Sequence, residues 1–222
     1  MASTLSQAGG DKFGDLPVTE GRSLLVFARA PVAGRCKTRL IPRYGARGAA
    51  AIHRQLVLRA LATAAQAGVD VTLCCEPDCR HGFFRQCRQR FAVRLQAQAR
   101  GDLGRKMALA LQRGLRNAAS VVIIGTDCPA LRMQDLESAF TALEHGADYV
   151  LQPASDGGYV LIGARRGVTG ALRHIDWSSG RELRQTLARL RQLNLRAHLL
   201  TPSWDVDYPK DVRHARRLRL LK

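Results

Sequence analysis

The run Val121-Val122-Ile123-Ile124-Gly125-Thr126-Asp127-Cys128-Pro129 constrains this chain more than any other, because an apolar segment ends abruptly in a carboxylate set between Gly and Pro. A short unbroken apolar run bounded by turn residues reads as a strand covered on both faces, as in parallel sheets with helices above and below. Such a strand delivers Asp127 to the carboxyl edge of the sheet, where open α/β folds bind ligands. The alternative is plainer: Asp127 caps the turn that follows it.

Downstream, Trp204-Asp205-Val206-Asp207-Tyr208-Pro209 places two carboxylates two residues apart, so both point to one side of an extended segment. Three such acids need a reason in a chain with 35 Lys and Arg against 18 Asp and Glu. A hard divalent cation supplies one. Mg²⁺ or Mn²⁺ takes oxygen ligands and works together with substrate phosphates, which makes Asp127, Asp205 and Asp207 candidate metal ligands.

A phosphate-binding element is expected near the start of the chain. Residues 23–28 read as a first buried strand that runs into Arg29-Ala30-Pro31-Val32-Ala33-Gly34-Arg35-Cys36-Lys37-Thr38-Arg39-Leu40. Arg29, Arg35, Lys37 and Arg39 bring four cations to a loop tightened by Pro31 and Gly34. Arginine forks and a lysine point charge suit a di- or triphosphate. The glycine spacing and Lys-Ser/Thr pair of a Walker loop are absent, so P-loop chemistry is not expected.

Together with these segments, Gly101-Asp102-Leu103-Gly104, Asp156-Gly157-Gly158-Tyr159-Val160-Leu161-Ile162-Gly163 and Trp177-Ser178 give the chain a likeness to a known family. Over about residues 22 to 215 it resembles the bacterial radical-SAM/selenodomain-associated transferases. That resemblance implies an α/β fold of GT-A type, the nucleotide-diphospho-sugar transferase fold, with a mostly parallel sheet and helices on both faces. More distantly, the chain is similar to phospholactate and molybdenum-cofactor guanylyltransferases, which share a basic first loop with a Lys and a strand-end Asp before Pro. By that similarity Lys37 and Asp127 are catalytic, Lys37 and the neighbouring arginines hold nucleotide phosphates, and Asp127, Asp205 and Asp207 hold the metal. The first loop departs from the Gly-rich loop of typical sugar nucleotidyltransferases.

Three motifs carry two readings each. Asp156-Gly157-Gly158 suits a tight β-turn, while the resemblance puts Asp156, Gly157, Gly158 and Tyr159 on the acceptor side of a cleft. Asp102 either N-caps the helix after it or contacts nucleotide. Ser179 and Glu182 have capping-box spacing, and Trp177 before them is a candidate wall of the acceptor pocket. Among the cysteines, Cys74, Cys75 and Cys79 with His81 do not meet structural zinc spacing, so reduced thiols are expected, and Cys128 reads as packing.

The expected organisation is a tail over residues 1–20 and a single domain over 21–222. Apolar periodicity predicts helices over 48–67, 103–117 and 133–143, with strands at 69–75, 91–96, 121–125, 149–152 and 159–162. No signal-peptide or membrane-spanning run occurs, and a cytoplasmic location is expected. The formal net charge of +17 invites a nucleic-acid reading, but no aromatic series for base stacking accompanies it, and anionic small substrates fit better. The favoured function is metal-dependent nucleotidyl transfer to a small anionic acceptor. Glycosyl transfer from a nucleotide sugar is the alternative, and a non-catalytic basic binding module the third reading.

Overall fold

The structure, a computed structural model, describes residues 21–167 and 170–222. The expected tail over 1–20 lies outside them. Strand β1 (Arg22–Arg29) alternates its side chains between two cores: Leu24, Val26 and Ala28 enter one, Leu25 and Phe27 the other. That two-sided burial makes it a central strand. It pairs in parallel with β2 (Asp70–Glu76) on one side and with β4 (Ser120–Ile124) on the other. All five residues of β4 are buried, as the apolar run requires.

The sheet has seven strands in the order β3-β2-β1-β4-β6-β5-β7, with β3 (Arg94–Ala97), β5 (Tyr149–Pro153), β6 (Tyr159–Ala164) and β7 (Ala197–Leu199) completing it. Pairing is parallel except that β6 runs antiparallel to both β4 and β5. The mostly parallel α/β sheet expected from the sequence is therefore present.

Helices α1 (Ile41–Ala64), α2 (Gly82–Phe91) and α4 (Met133–Glu144) cover one face through Val57, Leu61, Phe84, Leu136 and Phe140. Helices α3 (Leu103–Gly114) and α5 (Glu182–Gln192) cover the other through Met107, Leu111 and Leu190. Helix α6 (Pro209–Arg217) joins a third cluster with α1, in which Val212, Ala215, Ile52 and Leu56 surround Val206. Burying Val206 between the two carboxylates of the Asp205-Val206-Asp207 segment fixes where those acids can point.

Several boundaries differ from the sequence reading, two of them at the start of an element. The predicted strand at 91–96 begins only at Arg94, because Phe91 ends α2. The helix predicted over 48–67 extends back to Ile41, with a kink at Gly45, where φ is 67°.

Candidate functional site

The sheet's strand order changes direction between β1 and β4, so their carboxyl ends form a topological switch point, the usual place for a ligand crevice. Val26 lies opposite Ile124 in the register, which brings the loop after Arg29 beside the Gly125–Asp127 turn. Because β6 is antiparallel, its beginning lies at the same edge: Leu161 pairs with Ile124, and Gly125 N–H donates to Val160 O at 3.1 Å. The sheet thus carries the first loop, the strand-end acid and the Asp156–Tyr159 turn to one edge. The Asp205–Asp207 segment joins them through Val206 N–H, which donates to Asp127 O at 2.9 Å.

A cleft of about 690 Å³ opens there, lined by Arg29, Lys37, Arg39, Asp127, Asp205 and Asp207 among others. Lys37 is central to it. Its ammonium lies 3.0 Å from Asp127 Oδ2 and 3.0 Å from Asp207 Oδ1, and it donates to Val206 O at 2.6 Å. The side chain is only 6% exposed. Burial alone would lower its pKa, but Asp127 and Asp207 outweigh that and raise it, so Lys37 stays charged. Its backbone is left-handed, with φ 46° and ψ 45°, a conformation that costs a β-carbon-bearing residue about 1 kcal/mol. Lys37 was expected to hold phosphate; here its charge is committed to two carboxylates and a carbonyl.

The other loop cations stand differently. Arg39 donates to Asp207 Oδ2 at 2.8 Å and lies over the Tyr208 ring, yet its side chain is 58% exposed. Arg29 is 55% exposed and 3.6 Å from Glu76, which also binds Lys106 at 2.8 Å. Arg35 does not line the cleft. It borders a neighbouring pocket of about 450 Å³ with Arg29, Arg80 and His81.

Asp205 has no hydrogen bond or ion pair among the described residues. Burial first, then Asp127, with smaller contributions from Asp156 and Asp207, pushes its carboxyl up to about 7 against the pull of Lys37. Of the three acids, Asp127 and Asp207 have cation partners and Asp205 has none among the described residues. That open carboxyl beside an all-oxygen donor set fits a hard divalent cation. Among the described residues, however, no three His, Cys, Asp or Glu side chains form a ready metal cage.

Behind Asp127 stands His53, which the sequence reading missed. Its Nε2 is 2.9 Å from Arg29 O and therefore donates to that carbonyl. The Nδ1 lone pair then faces Asp127 Oδ1 at 4.0 Å, and both atoms are buried without a hydrogen bond. Burial chiefly lowers the His53 pKa, so the ring is neutral. The signal was available: His53 falls on the buried stripe of α1 beside Ile52, Leu56 and Val57. Glu76 and Lys106, which brace Arg29, had no comparable signal.

The cleft continues into an arm of about 330 Å³ that Asp156, Gly158, Tyr159, Trp177 and Glu182 help to line, and Asp156, Gly158, Tyr159 and Trp177 are among the residues expected on an acceptor side. The Asp156-Gly157-Gly158 turn joins the antiparallel strands β5 and β6, as a tight turn does, and its Asp156 and Gly158 border the arm. Gly157 has φ 90°, and a Cβ there would fall 2.1 Å from Gly180 O, so only glycine allows this turn to touch the segment after Trp177. Asp102 caps α3, accepting from Arg105 N–H at 2.7 Å, and does not line the cleft. Glu182 Oε1 accepts from Ser179 N–H at 2.7 Å, the reach-back half of the expected capping box. Cys128 is buried, with Sγ 3.1 Å from Ser203 Oγ, which agrees with packing. Among the described residues no Lys or Arg lines the arm, so the anionic acceptor expected from the sequence meets no counter-charge from them there.

The fold and the switch-point cleft define an α/β protein of the nucleotide-diphospho-sugar transferase type. The chain belongs to the bacterial family described as "uncharacterized protein conserved in bacteria (DUF2064)", which matches residues 58–179. It is similar to a candidate nucleotide-diphospho-sugar transferase from Desulfovibrio desulfuricans G20, at 27% identity and a TM-score of 0.78 over 86% of this chain and 84% of that one. At the level of fold alone, it is similar to CMP:2-keto-3-deoxy-manno-octonic acid synthetase complexed with CTP, at 14% identity and a TM-score of 0.57 over 90% and 98% of the two chains. The same holds for 4-diphosphocytidyl-2C-methyl-D-erythritol synthase from Anaerococcus prevotii, at 9% identity and a TM-score of 0.59 over 90% and 98%. Among curated proteins, none is similar enough in sequence to count as a match.

Proposed function

We propose that this protein is a transferase whose donor is a nucleotide, bound at the switch-point cleft with its phosphates between the first loop and the carboxylates Asp127, Asp205 and Asp207. The observation that carries the reading is the meeting of exposed Arg29 and Arg39 with those three acids in one cleft at the carboxyl edge. The guanidiniums give phosphate oxygens forked hydrogen bonds. Lys37 acts behind them. By holding Asp127, Asp207 and Val206 O together it fixes the acids in place rather than gripping the donor.

Mg²⁺ or Mn²⁺ belongs to this proposal, with Asp205, Asp127 and Asp207 as the residues that would hold it. An ion that completes its shell with water and substrate phosphate needs only one or two carboxylates and no closed protein cage. Bound there, it would supply charge neutralisation for the phosphate leaving group.

Of the two donors, a nucleotide sugar is the better supported. The sequence preference for nucleotidyl transfer rested on a phosphate-binding Lys37, and that ammonium is committed elsewhere. The similarity at 27% identity to a candidate nucleotide-diphospho-sugar transferase points the same way. Nucleotidyl transfer to a small acceptor is the second reading, favoured by the two first-loop arginines that line the cleft, Arg29 and Arg39. A thermal-shift screen of nucleotide sugars and nucleoside triphosphates, each with and without Mg²⁺ or Mn²⁺, separates them, because a ligand that binds only the folded state raises its melting temperature. Metal-dependent stabilisation by a nucleotide sugar is the expected result. Stabilisation by triphosphates alone would shift the assignment to nucleotidyl transfer, and no response to either would reject a nucleotide donor.

A further inference from the structure

The acceptor arm inverts the charge balance of the molecule. In a chain with a formal net charge of +17, this arm of about 330 Å³ is lined, among the described residues, by five carboxylates and by no Lys or Arg. Three of the five, Asp127, Asp205 and Asp207, belong to the donor side. Asp156 and Glu182 remain, and neither forms an ion pair among the described residues. Both are fixed by local bonds: Asp156 Oδ1 accepts from Gly158 N–H at 2.9 Å, and Glu182 Oε1 from Ser179 N–H at 2.7 Å.

Between them the arm has an aromatic wall. Tyr159 and Trp177 meet edge to face, with centroids 6.3 Å apart at 79°. The indole is held in place by α3, since a Cβ on Gly104 would lie 2.7 Å from both Trp177 Cζ2 and Nε1. Phe27 and Met107 add apolar surface. Rigid aromatic rings beside unneutralised carboxylates, in a pocket without cations, make the environment that binds organic ammonium groups.

We propose that the arm lined by Tyr159, Trp177, Asp156 and Glu182 receives the ammonium end of the acceptor, a protonated amine or quaternary ammonium group. The inference rests on the nucleotide-donor reading only in calling the ligand an acceptor; the arm's preference for cations is tested without any donor.

The probes are choline and 3,3-dimethyl-1-butanol, its uncharged carbon isostere, titrated calorimetrically into the full chain at one ionic strength. Choline should bind about tenfold more tightly or better. In Asp156→Asn the side-chain oxygen still accepts from Gly158 N–H while the charge is gone, so choline affinity should fall several-fold and the isostere's should not. Equal or undetectable binding of both probes, or an unchanged choline preference in Asp156→Asn, would overturn the proposal. If donors bind and choline shows no preference, this inference fails alone. If choline is preferred and no nucleotide binds, the arm stands as an ammonium site and the donor reading fails.

Discussion

Asp205 is the residue at which the account is most exposed to experiment. Its carboxyl is pushed from the ordinary 3.8 to about 7, first by burial and then by Asp127. The folded protein therefore holds this proton more tightly than the unfolded chain does. The stabilisation that follows is complete below the unfolded value and is lost as pH rises from about 4 towards 7. Asp205→Asn cannot ionise, so it should unfold like the parent protein near pH 4 and be more stable by roughly 1 to 3 kcal/mol near pH 8. Urea denaturation of both proteins with chelator present checks this. A variant that gains nothing at the higher pH would show that Asp205 ionises without penalty. At the same scale, the sequence disclosed four of the residues that meet, but not how they pair. Asp127, Asp205, Asp207 and Lys37 all reach one cleft. That Lys37 turns inward to the acids depends on a left-handed backbone at a non-glycine residue and on a carbonyl 169 positions away, neither of which leaves a local pattern.

At the scale of elements, the wall of the arm beside the cleft depends on the contact between the β5–β6 turn and the segment that carries Trp177. Gly157 makes that contact possible, whereas Gly34 in the first loop also has a positive φ, 80°, but open space around its Cα. Gly34→Ala should cost only the conformational penalty, about 1 kcal/mol. Gly157→Ala adds a backbone clash with Gly180 O and should cost about 2 kcal/mol more than that. Equilibrium denaturation of the two variants compares them, and equal losses would mean that the turn and the Trp177 segment are not packed as described. The elements that sequence patterns reveal are those with a long apolar signal, such as β1, β4 and α1. Helix α2 escapes because it buries only Phe83, Phe84 and Cys87 between arginines, and the apolar Phe91 at its end reads as the start of a strand. Helix α5 buries only Glu182, Thr186 and Leu190, too few apolar residues to show a period.

At the scale of the whole molecule, the formal net charge is +17, and only part of it meets an acid. Arg22 binds both Glu137 and Glu144, and Asp148 is surrounded by Arg165, Arg166 and Arg196. No helix among the described residues is long and apolar enough to cross a membrane. A basic pocket does lie at the opposite edge of the sheet, lined by Arg94, Arg113 and Arg116, and it provides the control for the central claim. That claim is that the switch-point cleft binds a donor's phosphates together with a divalent cation. The direct measurement is a calorimetric titration of pyrophosphate, a base-independent probe, with and without Mg²⁺, into the parent chain, Asp127→Asn and Arg113→Ala. Mg²⁺-dependent binding is expected in the parent chain, with no loss in Arg113→Ala and a drop of at least about tenfold in Asp127→Asn. Binding that ignores Mg²⁺, or that survives in Asp127→Asn while Arg113→Ala loses it, would contradict the claim.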